Sequence, residues 1–119
     1  MEQAAVLAAL SALAQETRLK IYRLLIQAGT DGLPAGQIAD QLGLPSATLA
    51  SHLKELNNAG LITFTRNGRS LIHTAVYPTM NALLGYLTEN CCGRPSNPRL
   101  PICLPQLNVE TVSRKARSA

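Results

Sequence analysis

The stretch PSATLASHLKELNNAG, Pro45 to Gly60, decides how the chain folds. Leu49, Leu53 and Leu56 recur at four- and three-residue spacing, so a helix here carries one apolar stripe, and Gly60 supplies its stop signal. The polar residues left facing outward are Ser46, Thr48, Ser51, His52 and Lys54. Immediately upstream, AGQIADQLG (35–43) predicts a short helix with Ile38, Ala39 and Leu42 turned inward and Gly43 as its terminator. The tight turn Gly43-Leu44-Pro45 then joins two helices, which reads as a helix-turn-helix.

Working outward, the periodicity changes after Gly60. LITFTRNGRSLIHTAVY (61–77) alternates, with Ile62 and Phe64 ahead of Asn67-Gly68 and Leu71, His73, Ala75 and Tyr77 or their neighbours behind it. Asn-Gly between two alternating runs is a strong hairpin signal. A β-hairpin directly after a helix-turn-helix is a wing, and its tip, Arg66-Asn67-Gly68-Arg69, is basic. Upstream, ETRLKIYRLLIQAG (16–29) places Leu19, Tyr22, Leu25 and Ile26 at helical spacing and ends in Gly29; TDGLP (30–34) reads as a loop. From Ala4 to Leu13 the apolar residues cover more than one stripe, as in a helix buried on two sides, for instance at a subunit interface. Thr79 to Asn90 is expected to be helical, with Pro78 stopping the preceding strand. The expected fold is mainly α with a β-hairpin wing: a winged helix-turn-helix.

At 119 residues the chain is one small domain with little core to spare, a poor setting for an enzyme with a deep cleft. No apolar run is long enough to span a bilayer and no basic segment precedes the N-terminal apolar stretch, so we expect a soluble cytoplasmic protein without a membrane partner. The net charge of +4 is unevenly placed: residues 1–92 sum to zero, and the excess lies in the last 27 residues, where Arg94, Arg99, Arg114, Lys115 and Arg117 face Glu110. A basic tail attracts polyanions, and it also serves simply as a solvated end. Two regions follow, a folded domain over 1–92 and a Pro-rich basic tail over 93–119, and the DNA-binding and dimerisation expected of the first rest on the residues taken up next.

A helix with short polar side chains near its N-terminus, followed by a basic hairpin, has the parts needed to read a duplex. The helix fills the major groove while the wing cations reach phosphate or the minor groove. Ser46, Thr48, Ser51, His52, Lys54, Arg66, Asn67 and Arg69 are therefore the candidate DNA-binding residues. Each alone is also an ordinary solvated side chain, and basic groups protect any hairpin edge from aggregation. Their order along the chain favours double-stranded DNA.

ALAQETRLKIYRLL (12–25), GLPSATLASHLKELNNAGLI (43–62) and RNGRSLIHTAVYP (66–78) resemble the ArsR/SmtB family of bacterial metal-responsive repressors. The resemblance implies a homodimer formed by the first and last helices, a recognition helix at 46–59, and repression by binding a near-palindromic operator until a metal or metalloid binds. Two departures matter. The helix before the recognition helix has no cysteine, which removes one arsenic site found in the family. The position often given to a capping serine is Pro45, so Ser46 sits either at the cap or in the first turn.

The three cysteines, Cys91, Cys92 and Cys103, all lie in LTENCCGRPSNPRLPICLP (87–105). An odd number of thiols in a reducing compartment suits ligands or reactive groups better than a disulfide framework. Thiolates select thiophilic ions. Arsenite and antimonite take three thiolates in a pyramid, whereas structural zinc wants four ligands. The ten residues between Cys92 and Cys103 span at most about 33 to 36 Å, ample for the chain to fold back. The packing alternative is that a vicinal pair merely buries itself as small hydrophobes. The resemblance supports ligation, since some family members hold arsenic with a vicinal pair and a third cysteine beyond the last helix. The family's other site, of Asp, His and Glu on the last helices, is not expected, because 79–90 offers only Glu89.

The leading expectation is thus a non-enzymatic, dimeric repressor released by As(III) or Sb(III) at Cys91, Cys92 and Cys103. Cadmium, lead or mercury could replace the metalloid, and thiol oxidation could replace ligation altogether. A thiol enzyme with Cys92 as nucleophile is disfavoured, since no histidine base lies near in sequence.

Overall fold

The computed structural model describes residues 1–90. In chain order it contains α1 (Gln3–Leu13), α2 (Glu16–Ala28), a 3-10 turn (Gly29–Asp31), β1 (Leu33–Pro34), α3 (Ala35–Leu42), α4 (Ser46–Asn58), β2 (Ile62–Asn67), β3 (Ser70–Ala75) and α5 (Tyr77–Leu87). Cys91, Cys92, Cys103 and the tail over 93–119 lie outside the described residues, as does the domain boundary expected at 92. The chain divides into two units between Leu83 and Leu84, within α5.

The α1–α2 corner is fixed by two side chains that are polar at one end and local in reach. The Gln15 side chain accepts a hydrogen bond from the Arg18 amide at 2.8 Å, capping α2, and Arg18 Nε donates to the Ala12 carbonyl at 2.7 Å, satisfying a carbonyl in the last turn of α1. Val6, Ala9 and Ala12 of α1 are buried, whereas Leu7 and Leu10 stay exposed at 57% and 38%. One of the two apolar sides read from the sequence is therefore used within the chain and the other is not.

Ile21 and Leu25 of α2, Ile38 of α3, Leu49 and Leu56 of α4, and Leu61 and Ile62 at the start of the wing form the fully buried centre of the core. Burying each such side chain contributes roughly 1.5–3 kcal/mol, so this small set accounts for much of the drive to fold. Gly43, in the left-handed conformation (φ 65°, ψ 38°), ends α3, and the Leu44 amide bonds back to the Ala39 carbonyl at 3.0 Å. The turn expected from Gly43-Leu44-Pro45 is present.

The sheet has the order β1-β3-β2, all antiparallel. Its hairpin is closed one residue later than Asn-Gly suggests. Asn67 pairs with Ser70, so Gly68 and Arg69 form the two-residue loop, with Gly68 at positive φ in the first position, as a type II′ turn requires. The alternation read from the sequence still holds, since Ile62 faces Ala75, Phe64 faces His73 and Arg66 faces Leu71.

Three local expectations are corrected. Leu33 and Pro34 are not loop but a short strand on β3, paired with His73 and Ile72. A proline is tolerated there because β1 is an edge strand. Pro78 does not stop the strand: β3 ends at Ala75, and Pro78 lies in the first turn of α5, where its missing amide costs no helical hydrogen bond. The last helix starts earlier and stops earlier than 79–90, at Leu87. Tyr77, read as a strand position, begins that helix, and its hydroxyl donates to the Ile26 carbonyl at the end of α2 over 2.9 Å.

Gly32 allows β1 to lie against β3. Its backbone (φ 68°, ψ −170°) occupies a region essentially restricted to glycine, and a Cβ there would collide with the His73 carbonyl oxygen and the Thr74 side chain. Gly32→Ala should therefore lower the unfolding free energy by about 3 kcal/mol in a urea titration. A loss under about 1 kcal/mol would mean that β1 is free to move off β3.

Candidate nucleic-acid interface

Helix α4 distributes its residues over three sides. Leu49, Leu53 and Leu56 point into the core, as their spacing predicts. Ser46, Ala50, Lys54 and Asn57, at steps of four, four and three, run along the flank nearest the wing and line a cleft beside it. Thr48, Ser51 and Glu55 are exposed away from that cleft, on the surface left free. The sequence grouped Ser46, Thr48, Ser51, His52 and Lys54 as one outward face; the helix splits them.

Pro45 occupies the cap position in extended conformation without a side-chain cap, and its carbonyl accepts from the Leu49 amide at 3.0 Å. Ser46 is accordingly the first helical residue, not the cap. Without a capping side chain the first amides of α4 keep their hydrogen-bonding capacity, and the positive end of the helix dipole lies beside them. Such an end suits a phosphate oxygen. His52 departs most from the expectation: it is half-buried and its Nδ1 is fully buried without a hydrogen-bond partner. Its ring is turned partly into the fold.

The wing places its cations as the sequence suggested. Arg66, Asn67 and Arg69 are all exposed at or next to the hairpin end. Arg66 closes the strand face that also carries Phe64, Leu71 and His73, whereas Arg69 belongs to the turn itself. Neither arginine, nor Lys54, makes an ion pair with a described residue; the salt bridge seen there joins Lys20 to Glu16 at 3.3 Å. Glu55 is the acidic residue on the exposed side of α4, one turn beyond Ser51, and sequence reading passed over it although a glutamate can accept from a cytosine amino group.

His73 is buried on the central strand, its ring 5.8 Å from the Phe64 ring and tilted to it by 53°. Its Nδ1 has no hydrogen-bond partner, and burial pushes the imidazole below its ordinary range, holding it neutral. His73 is thus a packed wing residue. Among the described residues no three His, Cys, Asp or Glu side chains come together as a metal site, and no helix is long and apolar enough to cross a membrane.

The feature that sequence reading missed is the cleft of about 360 Å³ between α3, α4 and the wing. The available signal was Phe64, the chain's one phenylalanine, on the wing face that also carries Ile62; it is left 46% exposed, and the helix residues that line the cleft with it include Ala35, Gly36, Ala39 and Ala50.

Comparison with known proteins bears on this arrangement. A family profile described as a helix-turn-helix domain matches residues 13–63. The chain is 30% identical over 91 residues to the HTH-type transcriptional regulator YgaV of Escherichia coli (strain K12), covering 76% of this chain and 88% of that protein. Among solved structures, an ArsR-like transcriptional regulator from Rhodococcus sp. RHA1 superposes with a TM-score of 0.64 at 27% identity, over 71% of this chain and 76% of that one. The homodimeric winged helix-turn-helix DNA-binding domain of a possible ArsR-family regulator from Mycobacterium bovis has a TM-score of 0.59 at 25% identity, over 66% and 71% of the respective chains.

The buried, neutral state of His73 makes stability depend on pH with a definite sign. The unfolded chain takes up a proton near the ordinary histidine value of about 6.5 while the folded chain resists it, so stability is complete above that value and falls as the pH drops below it. Thermal melts from pH 7.5 to 5 should fall more steeply for the wild type than for His73→Leu. Parallel profiles would mean that His73 takes up its proton in the folded chain as easily as in the unfolded one.

Proposed function

The chain belongs to the ArsR/SmtB family of winged helix-turn-helix transcriptional regulators, and on that footing we propose that it is a homodimeric, cytoplasmic repressor of an operator with near-twofold symmetry, released when As(III) or Sb(III) is bound by Cys91, Cys92 and Cys103. The observation that carries the DNA part is the pairing of an exposed, uncapped α4 N-terminus with a basic wing tip whose arginines make no ion pair with a described residue. Thr48 and Ser51 are the groups suited to base edges, and Arg66, Arg69 and Lys54 to phosphate. Asn67 and Ser46 can donate to either, and His52 contributes only through the part of its ring left outside.

Dimerisation is supported by α1, whose Leu7 and Leu10 present an apolar side that the single chain leaves uncovered. Covering it against a second copy is favourable, and the M. bovis neighbour is homodimeric. In such a dimer two recognition helices meet successive major grooves about 34 Å apart.

The inducer rests on donor chemistry. Three soft thiolates match the coordination number of a pyramidal As(III) complex, and the chain has three cysteines. The bound ion supplies a three-way covalent tie. The chain contributes the ligands: a vicinal pair, and a third thiol reached across a proline-stiffened segment that loses less entropy on closing. A tie of this kind regulates only if it favours an arrangement other than the DNA-bound one, and coupling of about 1–3 kcal/mol is the usual scale.

Arg66→Ala and Arg69→Ala should each weaken binding to all duplexes alike and reduce the slope of log K against log salt by about one unit, as phosphate contacts do. If either variant changes sequence preference with no change in salt slope, the wing reads bases and not backbone.

Arsenite should release the duplex, and Cys91→Ser, Cys92→Ser and Cys103→Ser should each abolish most of that response while leaving DNA binding intact. The measurement is fluorescence anisotropy of a labelled operator. Release by arsenite in all three variants would sink the site, and release by peroxide in metal-free buffer would favour thiol oxidation instead.

A further inference from the structure

We propose that the cleft between α3, α4 and the wing binds a small molecule with a flat apolar body and one anionic group, the chemistry of an aromatic carboxylate. The room comes from an asymmetry of side-chain size. Ala35, Gly36 and Ala39 of α3 and Ala50 of α4 lie opposite the large wing residues Phe64 and Leu71, so the sheet face and the helices do not close on each other. At about 360 Å³ the space is within the range of small-molecule sites, roughly 300–1,000 Å³. Phe64 and Leu71 remain 46% and 36% exposed although both belong to the strand face that buries Ile62, His73 and Ala75. An apolar body seated between them and Leu49 and Leu53 removes that surface from water, and the Phe64 ring offers an edge or face to a second ring.

Charge decides the remaining group. Lys54 is the one charged side chain in the lining, no Asp or Glu accompanies it there, and it makes no ion pair with any described residue. Ser46 and Asn57 on the same helix flank add hydrogen-bonding groups, and the neutral His73 ring adds another within the apolar part. A carboxylate at the Lys54 edge with its ring inward satisfies all of these at once. Ser46 and Lys54 also belong to the proposed DNA surface, so ligand and duplex compete; that competition, unlike the binding itself, rests on the DNA reading above.

The test uses the full chain labelled with nitrogen-15, titrated in an amide-correlation NMR experiment with 1-naphthoate and, separately, with the neutral 1-naphthalenemethanol. Saturable shifts should concentrate on the amides of Ala39, Ala50, Leu71 and His73, with naphthoate the tighter of the two. Ala39→Leu, which fills the cleft while keeping a good helix former, should weaken naphthoate at least tenfold. Ala35→Leu at the start of α3 does the same from the rim should the first variant fold poorly. Lys54→Met should bring naphthoate down to the affinity of the alcohol. Shifts centred on the exposed α1 leucines, spectra that change with protein concentration alone, or undiminished binding in a folded filled variant would overturn the site. Addition of a duplex should displace naphthoate; a ternary complex would overturn the competition.

Discussion

The burial of Leu49, Leu53 and Leu56 of α4 in the core that also holds Ile21 and Leu25 of the neighbouring helix α2 is the constraint on which the rest of the molecule hangs. It fixes the rotation of α4 about its own axis, and every placement of a polar side chain follows. With three leucines inward, Ser46, Ala50, Lys54 and Asn57 must pass along the wing side, and Thr48, Ser51 and Glu55 must face outward. A shift of the apolar stripe by one position would turn the helix by about 100° and exchange these sides. The same burial draws Leu61 and Ile62 into the core directly after Gly60, and the Val76 amide bonds to the Leu61 carbonyl at 2.8 Å. The wing is thereby anchored at its base, while the rest of β2 from Thr63 onward is exposed.

That anchoring explains why a two-stranded hairpin, marginal in isolation, can hold arginines at its end. The third strand adds to it. β1 contributes only Leu33 and Pro34, but Gly32 brings them close against His73 and Ile72, so the central strand is paired on both sides near its base. Beyond Ile72 toward the tip the hairpin has no such support. The gradient runs from a buried base to a solvated, charged end.

Much of this was legible in the sequence because it rests on periodicity and on glycine. The leucine spacing of α4, the stop at Gly43 and the alternation around Phe64 and His73 each specify a local structure without help from elsewhere. What was illegible depends on tertiary approach. Nothing local marks Leu33-Pro34 as a strand; it is one because Gly32 admits it to the edge of β3. Pro78 carries two meanings, strand stop or first turn of a helix, and the Tyr77 hydroxyl bond to Ile26, 51 residues away, accompanies the second. For the candidate site the sequence showed which α4 residues lie off the apolar stripe but not which side each takes, since the split of Ser46 and Lys54 from Thr48 and Ser51 depends on where the wing packs. The cleft depends on the sizes of side chains from three elements and could not be read from any one of them.

The charge distribution gives the two surfaces of α4 different work. Residues 1–92 sum to zero net charge, so they bring little long-range attraction for DNA of their own, and on the proposed reading the local placement of Lys54, Arg66 and Arg69 carries their share of the contact. Few cations mean that each matters, and Lys54 lies where two uses meet: phosphate on one side, the edge of the apolar cleft on the other. On the proposed readings, a carboxylate paired with Lys54 would withdraw one of the three cations that α4 and the wing offer the duplex, and a ring between Phe64 and Leu49 would hold the wing at a set distance from the helix. A protein with a strongly basic surface would barely register either change. Where the charges of residues 1–92 balance, both act on the limited set of contacts proposed for α4 and the wing, which makes the flank of α4 facing the wing the place where a small ligand can exert the most leverage.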